Sequence, residues 1–272
     1  MKKSFALLVI AASMIAMTGV AEAASNPIVF KSVPSQLPGN MPSIGFQATQ
    51  TGQVGDAIRL APGKRRLKAV TVVMSSWACQ TGGWSTGDCA STPGATFKQP
   101  ITLTLYGYGS GGAVGPVIAR KTQTFAIGYR PTTNEAKCPG TPATQWYSKH
   151  DRKCYSGYAQ QIRFDLGKRN LKLPTWLIYG ISYNTSGYGA HPYGYATTCS
   201  SSTAGCPYDS LNVAAAAGLP ARGQDMYPSG IYQDSQTPGN FCDNGTAGTG
   251  TFRLDDGCWT GYNPLVQIRA KR

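Results

Sequence analysis

The chain has 272 residues, 14% of them charged, with 33 Gly, 15 Tyr and a formal net charge of +13. That length allows one sizeable core, and the charge draws the chain towards anionic surfaces by an attraction that salt weakens. Glutamate occurs only at Glu22 and Glu135, which with the glycine and tyrosine content argues against a helical protein and for an all-β one.

The front end comes first in chain order. Met1–Ala23 carries Lys2 and Lys3, an apolar run from Phe5 to Val20, and then Ala21-Glu22-Ala23. A positive start, an apolar stretch and a small-x-small site together read as a secretory signal peptide. The Met1-Lys2-Lys3 opening fits a bacterial exporter. All eight cysteines follow the expected cut, so an exported chain from Ala24 to Arg272 forms up to four disulfides. After the signal no apolar run reaches the roughly 18 residues of a membrane span. The ending Ile268-Arg269-Ala270-Lys271-Arg272 has no hydrophobic sorting tail. A secreted or periplasmic product without a membrane span is expected.

Alternating segments bounded by Gly, Pro and Asn predict strands at Ala57–Leu60, Leu67–Ser75, Ile101–Tyr108, Val117–Ile127, Gln161–Leu166, Trp176–Tyr183, Leu211–Ala214 and Leu265–Ala270. In Ile101-Thr102-Leu103-Thr104-Leu105 the apolar residues share one face and the threonines the other, which predicts a sheet with one buried and one wet side. The expected organisation is an N-terminal arm, Ala24–Asn40, and a single β-sandwich domain over residues 41–272.

An echo runs through the chain. Ile58-Arg59-Leu60-Ala61-Pro62-Gly63-Lys64-Arg65-Arg66-Leu67-Lys68 recurs as Ile162-Arg163-Phe164-Asp165-Leu166-Gly167-Lys168-Arg169-Asn170-Leu171-Lys172, with seven of eleven positions identical. Each copy reads as strand, basic glycine turn, strand. This predicts two similar hairpins whose tips carry Lys64, Arg65, Lys168 and Arg169. Those tips either bind an anion or simply keep an exposed turn wet.

Four long irregular stretches separate the strands: Trp77–Pro100, Gly128–Tyr158, Asn184–Asp209 and Leu219–Gly261. Each holds two cysteines. The spacing predicts Cys79–Cys89, Cys138–Cys154, Cys199–Cys206 and Cys242–Cys258, and stiffened loops on a sheet scaffold suit a binding surface.

Catalytic and metal chemistry find little support. No CxxC pair exists, so no zinc site is expected. Asp243, Asn244, Asp255 and Asp256 lie in one cysteine-closed loop and offer hard oxygens for calcium, but no spaced Asp-x-Asp-x-Asp pattern accompanies them. No cofactor and no metal is expected. No Gly-x-Ser-x-Gly elbow occurs, and the histidines are His150 and His191 alone. A glycosidase needs two carboxyls about 5–10 Å apart. Asp165, Asp209, Asp225, Asp234, Asp255, Asp256 and Glu135 are available, and nothing in the sequence pairs them.

The aromatic loop is the stronger lead. Tyr183, Tyr188, His191, Tyr193 and Tyr195 follow a strand end and lead to Cys199, and Trp84 sits in another cysteine loop, with Trp77 and Trp146 in or beside such loops. Exposed tyrosines offer flat faces with polar tips, as sugar rings require, although the same side chains can pack loops onto a sheet.

The layout of Pro42-Ser43-Ile44-Gly45-Phe46-Gln47-Ala48, Gly55-Asp56-Ala57-Ile58-Arg59-Leu60, Ile178-Tyr179-Gly180-Ile181-Ser182-Tyr183-Asn184-Thr185, Tyr208-Asp209-Ser210-Leu211-Asn212-Val213 and Tyr262-Asn263-Pro264-Leu265-Val266 resembles secreted bacterial β-sandwich surface proteins of the broad choice-of-anchor type. The resemblance implies a jelly-roll-like antiparallel sandwich and an extracellular location, and brings no catalytic residues. The leading expectation is non-enzymatic binding of an extracellular polysaccharide or other anionic polymer, with nucleic acid held only non-specifically. The alternatives are an envelope or matrix interaction protein and a polysaccharide-active hydrolase.

Overall fold

The computed structural model describes residues 27–46, 49–83, 87–140, 145–183 and 211–271. The expected signal segment and the Asn184–Asp209 loop lie outside them. Among the described residues there is no α-helix, and the chain folds as two packed antiparallel sheets in a jelly-roll-like sandwich. The strands in chain order are β1 (Ile28–Lys31), β2 (Ser43–Ile44), β3 (Gln53–Arg59), β4 (Arg66–Ser76), β5 (Thr96–Tyr108), β6 (Val114–Gly128), β7 (Trp146–Ser148) and β8 (Lys153–Tyr155). They continue as β9 (Tyr158–Asp165), β10 (Trp176–Tyr183), β11 (Leu211–Ala216), β12 (Gln224–Asp225), β13 (Gly230–Gln233), β14 (Arg253–Asp256), β15 (Asn263–Pro264) and β16 (Val266–Lys271).

One sheet runs β1-β16-β4-β11-β15, with β9 on the other flank of β4 and β2 on β11. The other runs β14-β13-β3-β10-β5-β6, with β12 also on β3. β7 and β8 form a separate small ribbon. The core lies between the sheets: Leu67, Val70, Val72, Met74, Ile162, Phe164, Val266 and Ile268 from the first face Val54, Ile58, Ile101, Leu103, Leu105, Leu177 and Ile181 from the second. Burying each such side chain contributes about 1.5–3 kcal/mol.

The outer faces are covered too. Val33, Leu37 and Met41 pack on Val73, Ala159, Ala214 and Leu265 outside the first sheet. Tyr227, Phe252 and Leu254 pack with Tyr106, Ile178 and Tyr232 outside the second. The segment expected as an N-terminal arm packs on the sandwich: Ile28–Lys31 pairs with β16, and the residues after it cover a sheet. The wet face expected at Thr102 and Thr104 is likewise only partly wet. Thr104 is buried and accepts from Arg120 Nε at 3.3 Å, while the Thr102 and Thr122 hydroxyls lie 2.7 Å apart across the β5–β6 pair.

All eight strands expected from the sequence are present. β5 starts before Pro100, because proline lacks only an N–H and the β10 ladder on that strand begins at Ile101. Three of the expected disulfides are formed, Cys79–Cys89, Cys138–Cys154 and Cys242–Cys258. Cys199 and Cys206 lie outside the described residues.

Candidate functional site

The echo does not make two hairpins. β3 and β4 belong to different sheets, as do β9 and β10, so each basic turn is an arch from one sheet to the other. β3 pairs with β10 and β4 with β9, which lays the arches side by side in opposite directions. Backbone bonds stitch them together: Leu67 N–H to Leu171 O at 2.7 Å, Leu173 N–H to Arg65 O at 2.9 Å, and Leu60 N–H to Thr175 O at 2.8 Å. The matching glycines are not equivalent. Gly63 has φ of +124° with open space beside it, so the turn needs a residue at ease in that conformation. At Gly167 φ is not in the left-handed region, and a Cβ would meet only the flexible end of the Lys68 side chain, Cδ at 2.8 Å.

This pairing gathers cations at one end of the sandwich. Lys64, Lys168 and Arg169 are exposed and Arg65 is half-buried, its guanidinium donating to Thr175 Oγ1. The sequence reading missed the centre of the cluster. Arg66 stands directly opposite Lys271 on β16 and opposite Lys172 on the second arch, a row of three like charges. Lys68 and Arg163 adjoin it. Within hydrogen-bonding reach, Arg66 Nη1 finds only a carbonyl, Asn170 O at 3.2 Å. None of Lys64, Arg65, Arg66, Lys168, Arg169 and Lys172 is in an ion pair among the described residues.

The carboxylate beside the row is Asp165. Its Oδ1 accepts the Gly167 N–H at 3.1 Å. That bond, with Lys68, Arg163 and Lys121 nearby, holds its carboxyl below the usual range. On the adjoining strand end, Trp176 is exposed and the Arg59 guanidinium lies 4.9 Å from its ring centre. Arg59, Arg66 and Lys172 all lie inside or beside the echoed eleven residues, so the echo itself was the signal that locates this end.

The other expected binding residues divide. Tyr188, His191, Tyr193, Tyr195 and Trp84 lie outside the described residues. Tyr183 is a packing residue: it is 7% exposed, stacks on Phe46 with ring centres 4.2 Å apart and donates to Leu211 O at 2.6 Å. Trp146 is buried and donates to Gly157 O at 2.6 Å, and Trp77 donates to Ser75 Oγ at 3.1 Å.

The loop acids are also occupied. Asp243 accepts from Arg253 Nη2 at 2.9 and 3.0 Å and from the Gly245 and Ala247 N–H groups at 2.9 and 3.0 Å, and Asp255 accepts from Gln233 Nε2, Trp259 Nε1 and Cys242 N–H at 2.6–2.8 Å. These bonds engage the carboxylate oxygens of Asp243 and Asp255 within the protein. A carboxyl pair does form elsewhere, between Asp56 and Asp225, and the sequence did not indicate it. Burial, and then the neighbouring Asp225, push the Asp56 carboxyl well above the usual range, and burial raises Asp225 as well. The cavity they share is about 40 Å³, far below the roughly 300 Å³ at which small-molecule pockets begin, so no sugar ring enters it.

No family model, curated protein or solved structure matches this chain.

Proposed function

We propose that this chain is a non-enzymatic binding protein for an extracellular anionic polymer, an acidic polysaccharide first, and that the paired basic arches are where it binds. The row Lys271–Arg66–Lys172 carries the reading. Like charges placed directly opposite one another in a sheet cost stability, and a fold seeking only solubility would intersperse them with acids. Lys64, Arg65, Lys168 and Arg169 extend the row across the end of the sandwich. A polymer bearing repeated carboxylates or sulfates would replace the missing counter-charges at several points at once. Trp176, exposed beside Arg59, supplies a flat apolar face of the kind a sugar ring packs on.

Disulfides suit an oxidising compartment, and no helix among the described residues is long and apolar enough to cross a membrane, both consistent with an extracellular setting. The resemblance to secreted choice-of-anchor proteins points the same way. The hydrolase alternative draws no support from the Asp56–Asp225 pair, whose cavity is too small for a saccharide. Binding to alginate and heparin columns against an uncharged dextran column tests the proposal. Retention on the acidic polymers, lost on replacing Arg66, Lys168, Arg169 and Lys172 by Gln, is expected. Unchanged retention in that variant would reject the arches as the site.

A further inference from the structure

β3 turns alternate side chains into the sandwich, and its inward positions are Val54, Asp56 and Ile58. Asp56 therefore places a carboxyl where its neighbours on both sides place hydrocarbon, and it is 2% exposed. Asp225 stands across from Ile58 on β12 and is 6% exposed. Among the described residues, no Lys or Arg pairs with either. A buried carboxylate without a compensating charge is costly, so an uncompensated pair calls for a partner.

The bonds around the pair show where that partner belongs. Asp225 is held by the Tyr227 N–H at 2.8 Å and by the Asn263 side-chain amide. Asp56 Oδ1 accepts the N–H of its own neighbour, Ala57, at 2.7 Å. Among the described residues no donor reaches its Oδ2. Tyr179, directly across on β10, cannot supply one, because its hydroxyl donates to Pro264 O at 2.8 Å. Asp56 instead lines the cavity of about 40 Å³, together with Asp225, Asn263, Ser32, Gly218 and Pro264. That space exceeds the 10–15 Å³ or so that one water needs. Its polar side chains are two carboxylates, the Asn263 amide and the Ser32 hydroxyl, with no thiol or imidazole, which is the donor chemistry of hard divalent cations.

We propose that Asp56 and Asp225 hold a hard divalent cation, calcium first, inside the sandwich between β3, β12 and β15. Calcium accepts six to eight oxygens in loose geometry, which an irregular pocket of this kind can offer, whereas magnesium demands a near-ideal octahedron. The ion would bring two positive charges to two carboxylates and tie the 217–220 segment to both sheets. The inference is independent of polymer binding at the arches.

The experiment uses the full oxidised chain, stripped of metal with EDTA and titrated with calcium chloride while thermal unfolding and binding heat are followed. One ion per chain and a saturable rise in the unfolding midpoint are expected, with magnesium weaker by tenfold or more. Asp56→Asn and Asp225→Asn remove charge without changing shape, so both should fold, and both should lose the calcium response. Terbium luminescence excited through tyrosine gives a second readout, because Tyr179 faces Asp56; it should appear in the parent and vanish in Asp56→Asn. Absence of any calcium effect on the parent, or an equal effect in both variants, would overturn the site.

Discussion

Two parts of this molecule hold charge without a counter-charge from the protein, and they differ in where the charge sits. At the arches, Arg66 faces Lys172 and Lys271 at the exposed end of the sandwich. Water and salt reduce the cost of that repulsion without removing it, and the cations are left ready for a ligand. Inside the sandwich, Asp56 and Asp225 face each other across a small cavity. Nothing screens them there, so the pair must take up protons or a cation. The lesson is that the same omission reads as a recruitment surface when wet and as a site for one small ion when dry.

Asp255 sharpens the comparison most, since it is as buried as Asp56 yet fully bonded. Asp255→Ala strands three donors, the buried Gln233 amide and the part-buried Trp259 Nε1 and Cys242 N–H, and a loss of about 2–4 kcal/mol is expected by urea unfolding. Asp56→Asn should cost under about 1.5 kcal/mol without calcium, because it removes a buried charge and keeps a side-chain oxygen for the Ala57 N–H. Tyr179→Phe deletes the bond to Pro264 O and should cost about 1–2 kcal/mol.

The pH profile separates the carboxylates again. Asp225 and Tyr179 stand by Asp56, Tyr232 feels it from the other face of the sheet, Asp256 acts on Asp225, and none of these is cationic. Asp56 is raised in the fold, so its stabilising share is complete below the unfolded carboxylate value of about 4 and is lost as pH rises through the folded value. Chelated protein should therefore lose stability over that rise, and Asp56→Asn should lose less. A parallel slope in the variant would contradict the burial argument. The smallest effect belongs to the arches: Arg66→Gln should change stability by no more than about 0.5 kcal/mol, in either direction.

Much of the scaffold was legible in the sequence, because alternation of Ile, Leu and Thr and flanking Gly and Pro report local geometry. β13 and β14 were not, since four residues such as Gly230-Ile231-Tyr232-Gln233 carry too little pattern within a long glycine-rich stretch. The echo was visible, but its reading as hairpins failed. Sequence shows strand, turn, strand, and whether the second strand returns to the same sheet is decided by pairing between β3 and β10 and between β4 and β9, across roughly 80 to 130 residues. The same long-range pairing made the cation row and the carboxylate pair invisible in advance. Lys271, Arg66 and Lys172 are far apart in the chain, as are Asp56 and Asp225.

The most direct measurement is the salt dependence of alginate binding by the full oxidised chain and by the Arg66→Gln, Lys168→Gln, Arg169→Gln, Lys172→Gln variant. The account predicts micromolar or tighter binding of the parent at low salt. It predicts a slope of log affinity against log salt that falls by up to about one unit for each contacting cation removed, by analogy with counterion release from other polyanions. It also predicts unchanged unfolding of the variant. Equal affinity and equal slope in the two proteins would contradict it.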